Sequence, residues 1–237
     1  MRTRHGARWL LVTVTLLCVE GCVSTKTIPL AGSFPGEWTG KSIALVQRPL
    51  PAFAVMSSGK VALGALLGPA GMGAMGAAMA REGARLEVED HLQDPAVAIG
   101  QSLLTELVAA DHLRAVDGVQ LTRPTGSTAH AIALPATDLL LDVRTVGWQA
   151  MYFPTDWNRY GILYSVRLTL TDARGDIIAQ GFCVHHPQKT ADSPTHDELL
   201  SDWGQRLKAL SRKSGDFCLQ DLRHKLFGGE TAVAAHD

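Results

Sequence analysis

Gly161–Asp172, GILYSVRLTLTD, is the stretch on which the fold turns. Leu163, Ser165, Arg167 and Thr169 alternate with Tyr164, Val166, Leu168 and Leu170. An extended chain therefore carries a largely polar set on one face and an apolar set on the other. That alternation predicts a strand of an antiparallel sheet covered on one side. Ala173-Arg174-Gly175 supplies a Gly-containing turn into Asp176–His185, DIIAQGFCVH, which pairs back as a hairpin. Asp138–Trp148, DLLLDVRTVGW, reads as a third extended run on the upstream side.

Weaker signals surround this meander. Ser42–Arg48, SIALVQR, predicts a first strand closed by Pro49 and Pro51, and residues 118–123 a short one. Asp94-Pro95 has the form of a helix start, with Asp as N-cap and Pro at the first helical position. Ile99, Leu103, Leu104, Leu107 and Val108 then fall on one helical face. Thr195-His196-Asp197-Glu198 has capping-box spacing ahead of a helix carrying Leu199, Leu200, Trp203, Leu207 and Leu210. A last helix is expected from Asp216, stopped by Gly228-Gly229. The expectation is an α+β domain over residues 42–227, a mostly antiparallel sheet with helices on one face, a Gly/Ala-rich apolar helical insertion at 58–80, and a loose tail at 228–237.

The N-terminus speaks to location. Arg2, Arg4 and Arg8 precede the apolar run Trp9–Val19, and Val19-Glu20-Gly21-Cys22 places a small residue just before a cysteine. The apolar run is too short to span a bilayer, which takes about 20 residues. The segment resembles the lipobox of bacterial lipoproteins, with Glu20 standing where that family has a small or apolar residue. The resemblance implies cleavage after residue 21, acylation (palmitate among the chains) of Cys22, and a tether over residues 22–41. Val23 follows the cysteine where that family's inner-membrane retention signal has Asp, which implies the periplasmic face of the outer membrane. An ordinary secretory signal and an uncleaved anchor are the other readings.

The layout, with the Asp138–Val143 strand DLLLDV and the Thr171–Ile178 hairpin TDARGDII, is also similar to the compact domain of envelope-assembly lipoproteins. These include the curli secretion lipoprotein, the activator lipoproteins of penicillin-binding proteins and the N-terminal domain of TolB. The resemblance implies an accessory or scaffold role.

Bulk properties agree with a packed, exported domain. Hydrophobic residues make up 46% of the chain, enough for a real core. Without Arg2, Arg4, Arg8 and Glu20 the 22 basic and 23 acidic residues become 19 and 22, near −3, so no nucleic-acid partner is expected. Beyond the signal and Cys22, Cys183 and Cys218 form the remaining pair, expected to be bonded outside the cytoplasm. A metal site in Cys183-Val184-His185-His186 and two free thiols are the alternatives.

Two nucleotide-binding patterns fail on context. Gly36-Glu37-Trp38-Thr39-Gly40-Lys41-Ser42 is one residue short between the glycines of a P-loop and precedes its strand. Gly71-Met72-Gly73-Ala74-Met75-Gly76 matches G-x-G-x-x-G but lacks the preceding strand and the downstream acid. No catalytic residue, metal or cofactor is expected. An acid–base set could be assembled from Asp142, Asp156 and His185, so an enzyme near His185 and the aromatic loop at 148–164 stands as the alternative.

Two features point to binding. Val61–Ala80 is uncharged, and Gly64, Gly68 and Gly76 lie at helical spacing that permits close backbone approach, in self-association or at a membrane. Packing of this segment on its own domain is the other reading. Trp148, Tyr152, Phe153, Trp157, Tyr160 and Tyr164 cluster within seventeen residues. Tyr152–Arg159 reads as a loop, so Tyr152, Phe153, Trp157 and Tyr160 are expected either to fold back onto the sheet or to form a partner-binding surface, since aromatics dominate interface hot spots. The function expected is lipid-anchored binding or assembly with an envelope protein or with itself.

Overall fold

The computed structural model describes residues 26–30, 38–57, 68–89, 91–120 and 137–227. Its elements are β1 (Ser42–Gln47), β2 (Ala54–Val55), α1 (Gly68–Glu89), α2 (Pro95–Asp111), β3 (Arg114–Ala115), β4 (Val119–Gln120), β5 (Leu139–Phe153), β6 (Asp156–Asp172), β7 (Ile177–His185) and α3 (His196–Phe227). They form the expected α+β architecture. The seven-stranded sheet runs β3-β1-β5-β6-β7, with β2 also on β5 and β4 on β1. The long β5-β6-β7 meander is antiparallel, and β1 joins it parallel to β5.

The meander follows its local signals. Gly175 takes φ +86 in the turn, donating its N–H to the Asp172 carbonyl at 3.0 Å. The Asp172 carboxylate accepts the N–H groups of Arg174 and Asp176, both at 2.9 Å. Asp138 ties the first strand to the meander by accepting from both the N–H and the hydroxyl of Ser42 at 2.7 Å. On the covered face Ile43, Leu141, Val166, Leu168 and Leu170 pack with Ile99, Leu103 and Leu107 of α2 and Leu207, Leu222 and Leu226 of α3.

Three local expectations are corrected. The aromatic stretch is not a loop: β5 continues to Phe153 and β6 begins at Asp156, leaving Pro154-Thr155 as the connection. Phe153 and Tyr160 are buried there, and the ring of Phe153 lies against Gly161, where a Cβ would come within 2.9 Å of it. Burial of those rings favours continued pairing over a loop. The C-terminal helix breaks at Ser201–Gly204, where Asp202, Trp203 and Gly204 have positive φ, and then runs on past Asp216. Trp203, expected on the buried face, is 74% exposed. The presumed tether is docked in part: Ile28 pairs antiparallel with Gln180 on the outer edge of β7.

α1 extends the expected apolar helix through Arg81 to Glu89, and among the described residues no helix is long and apolar enough to cross a membrane. Its close approach lies at Gly83, where a Cβ would sit 1.7 Å from the Phe53 carbonyl oxygen.

Asp94 caps α2 by accepting from the Ala96 N–H at 2.9 Å, and it also accepts from the Thr145 hydroxyl on β5. Thr145 Oγ1 is 3.1 Å from the Tyr164 hydroxyl on β6, so one polar chain links the cap to two strands. Burial raises the Asp94 carboxyl above the ordinary aspartate range, opposed by the bonds from Thr145 and Ala96. Burial, reinforced by the Asp94 charge, pushes the Tyr164 hydroxyl far above the usual phenol value.

Two outcomes follow from these contacts. Gly83→Ala should cost about 1–3 kcal/mol by overpacking. Gly76→Ala, whose Cβ meets nothing within 4 Å, should instead gain up to about 1 kcal/mol of helix propensity. Urea unfolding of both variants separates the two sites. For Asp94, the folded form keeps its proton to higher pH than the unfolded chain. Its contribution is therefore complete below the ordinary aspartate value and is lost as pH rises through the raised one. Asp94→Asn retains an N-cap acceptor with no charge to bury. The stability of wild type relative to this variant should fall as pH rises from below about 4, measured by urea unfolding across that range.

Candidate functional site

The far end of the β5-β6 hairpin is held as a platform. Tyr152 pairs with Tyr160 across the ladder, and Phe153 pairs with Asp156, so Trp157 to Arg159 bulge outward between the two pairs. The Tyr160 N–H donates to the Pro194 carbonyl at 2.8 Å, and its ring meets that of His196 with centroids 5.5 Å apart. Arg159 donates to the Ser193 carbonyl at 2.7 Å and lies 3.6 Å from Glu198. Lys189 pairs with Asp156 at 3.0 Å and, by that bond first, lowers its carboxyl below the ordinary range.

The segment that grips the tip is itself capped. The Thr195 N–H donates to Glu198 at 2.8 Å and the Glu198 N–H to the Thr195 hydroxyl at 3.3 Å, the reciprocal pair that the spacing predicts. The Thr195 N–H first, then its hydroxyl, holds the Glu198 carboxyl below its usual value. His196 also lies 3.8 Å from Glu82, bringing α1 to the same corner.

Of the four aromatic candidates, the structure separates two from two. Phe153 and Tyr160 are buried and support the platform from beneath, which corrects their expected place on a contact surface. Trp157 is 62% exposed, with its indole N–H turned to the Pro154 carbonyl at 3.2 Å. Tyr152 is half-buried, its ring centroid 6.3 Å from that of Trp157. An exposed indole on a braced hairpin can offer a large apolar contact with little ordering cost.

Cys183 of β7 and Cys218 of α3 form a disulfide, their Cα atoms 5.5 Å apart, so this thiolate is not available to a metal. His185 stacks on Phe217 with ring centroids 4.8 Å apart. Burial first, then Lys213, lowers its pKa below the ordinary imidazole value. The acid–base set is not assembled. Asp142 is bonded to Arg48 at 2.6 and 2.8 Å, Asp156 lies at the hairpin tip, and His185 pairs in register with Tyr164 midway along β6.

Among the described residues, a cleft of about 400 Å³ opens between the start of α2 and the middle of α3. His91, Asp94, Ser102, Lys208, Ser211 and Arg212 border it. Ser211 accepts from the Trp148 indole at 3.3 Å, so its wall is tied into the core.

The glycine set is divided as well. Gly64 and Cys22, the residue expected to be acylated, lie outside the described residues, Gly68 opens α1, and Gly76 is exposed. Gly83 went unforeseen. Its signal is a glycine amid Arg81-Glu82-Gly83-Ala84-Arg85, where helix propensity alone disfavours it.

No protein-family model matches the chain, and no curated protein is similar enough to count as a relative. Among solved structures the chain is similar to a "putative neuraminyllactose-binding hemagglutinin homolog" from Helicobacter pylori. The identity is 10% and the TM-score 0.37, over 85% of this chain and 92% of that one.

Proposed function

We propose that this chain is a lipid-anchored protein of the bacterial cell envelope, held at the periplasmic face of the outer membrane through acylated Cys22, that works by binding and assembly. The observation that carries the reading is the N-terminal sequence. Three arginines, a short apolar run and Gly21-Cys22 follow in the order an acylated export signal requires. The disulfide between Cys183 and Cys218 supports an oxidising compartment. The braced, exposed Trp157 supports a protein partner at the hairpin tip. Open space around Gly76 supports self-association through α1 as a further mode of assembly.

The test is made on the native protein. Its mature N-terminal peptide should carry acyl chains on Cys22, and Cys22→Ala should abolish both the added mass and membrane retention. An unmodified N-terminus at another residue sinks the anchor. In-cell crosslinking should recover one stoichiometric envelope partner or a homo-oligomer. Loss of the partner in Trp157→Ala, with unfolding unchanged, assigns it to the hairpin tip. Loss of the oligomer in Gly76→Leu assigns self-association to α1.

A further inference from the structure

Four ties fix the cleft between α2 and α3 as a preformed space. Its α2 wall is held to β5 by Asp94 through Thr145. Its α3 wall is held to β5 by Ser211 through Trp148, and to β7 by the disulfide at Cys218. Beyond the cleft the two helices are clamped to each other, the Arg223 Nε donating to both Glu106 carboxylate oxygens at 2.8 and 2.9 Å. Where Gly215 passes Pro95, a Cβ would sit 2.8 Å from the proline Cβ, so the walls meet closely there. The space of about 400 Å³ left between them lies in the size range of small-molecule sites. Walls tied in this way need little ordering to receive a guest.

On the α3 wall the polar groups are mainly donors without acceptors. Lys208, Ser211 and Arg212 border the cleft at the i, i+3, i+4 spacing that sets side chains on one helical face. Ser211 is 2% exposed, and its oxygen takes the Trp148 indole N–H. Its own proton is left to donate, and among the described residues nothing receives it. Arg212 gives its Nε to the Lys208 carbonyl at 3.4 Å, which leaves both terminal guanidinium nitrogens unspent. Among the described residues no acid pairs with Lys208 or Arg212. Like charges at i, i+4 cost a helix stability, and a buried hydroxyl proton without an acceptor costs more. An anion seated between them would relieve both.

The rest of the lining narrows the kind of anion. Asp216 borders the cleft one turn beyond Arg212, as does Asp94 at the start of α2, where one carboxylate oxygen is taken by Ala96 and Thr145. Two carboxylates beside the cations disfavour a doubly charged guest such as a phosphate monoester and favour a single carboxylate. Leu92, Pro95, Ile99 and Leu219 make an apolar wall, which suits a hydrocarbon or aromatic body better than a bare ion.

We propose that this cleft binds a small organic carboxylate, its oxygens received by Ser211, Lys208 and Arg212 and its apolar body lying against Leu92, Pro95, Ile99 and Leu219. The site is separate from the hairpin tip and from the anchor, and it depends on neither.

Isothermal titration of the full chain with hydrocinnamate tests it, with hydrocinnamyl alcohol and hydrocinnamyl phosphate as the neutral and doubly charged counterparts. The carboxylate should bind saturably, at one site per chain, and more tightly than either counterpart. Lys208→Gln together with Arg212→Gln should weaken it at least roughly tenfold, the loss of one charge-assisted hydrogen bond. Urea unfolding of that variant should be unchanged, since neither side chain is buried. Ala98→Trp, at an exposed position on the α2 wall, should fill the cleft and abolish binding. Absence of saturable binding, or binding that survives either set of substitutions intact, overturns the site. Equal binding of the alcohol overturns the role of the cations, and tighter binding of the phosphate overturns the choice of a single carboxylate.

Discussion

The pairing of β5 with β6 is the constraint on which the molecule hangs. It runs from Leu139–Asp172 at one end to Phe153–Asp156 at the other. β1 and β2 both add to the free edge of β5, and β7 adds to that of β6. α2 and α3 pack on its apolar face. A shift of one residue in its register would exchange the covered face for the open one, placing Arg167 in the core and Leu168 in water. The bulge between Thr145 and Gly147 lets the ladder bend without losing that alternation.

Buried polar groups then fix how the helices sit on this frame. Asp94 ends one polar chain, Trp148 and Ser211 make a second contact, and the disulfide is a third. Each joins a helix to a strand, so sliding either helix would strand a buried polar atom or strain a covalent bond. The raised pKa of Asp94 shows the cost of that specificity, a carboxyl desolvated to serve as cap and crosslink at once.

What could be read in the sequence was local. The alternation in Gly161–Asp172, the Asp94-Pro95 start, the Thr195/Glu198 box and the Gly175 turn each state their geometry within a few residues. What could not be read depends on partners distant in sequence. Tyr152 to Arg159 carries turn residues, yet Pro194 and His196 hold Tyr160 in the extended strand with its ring buried. Asp202-Trp203-Gly204 breaks α3 where apolar periodicity continues, because three left-handed residues interrupt it without changing the pattern of hydrophobicity. At the hairpin, sequence located the aromatic cluster but could not divide Trp157, which is displayed, from Phe153 and Tyr160, which support it.

On the lipid-anchor reading proposed above, Lys26–Leu30 joins the anchor to the edge of the sheet, and its two roles have opposite fates under proteolysis. A cut upstream of Lys26 would release a body that keeps the Ile28 bridge to Gln180 of β7. A cut downstream of Leu30 would take the Ile28 bridge with it and leave the backbone N–H and carbonyl of Gln180 on the β7 edge without that pairing, open to another chain. Shedding and aggregation would thus be separated by a few residues of sequence, and a protease's choice of bond would decide whether the freed domain stays in solution.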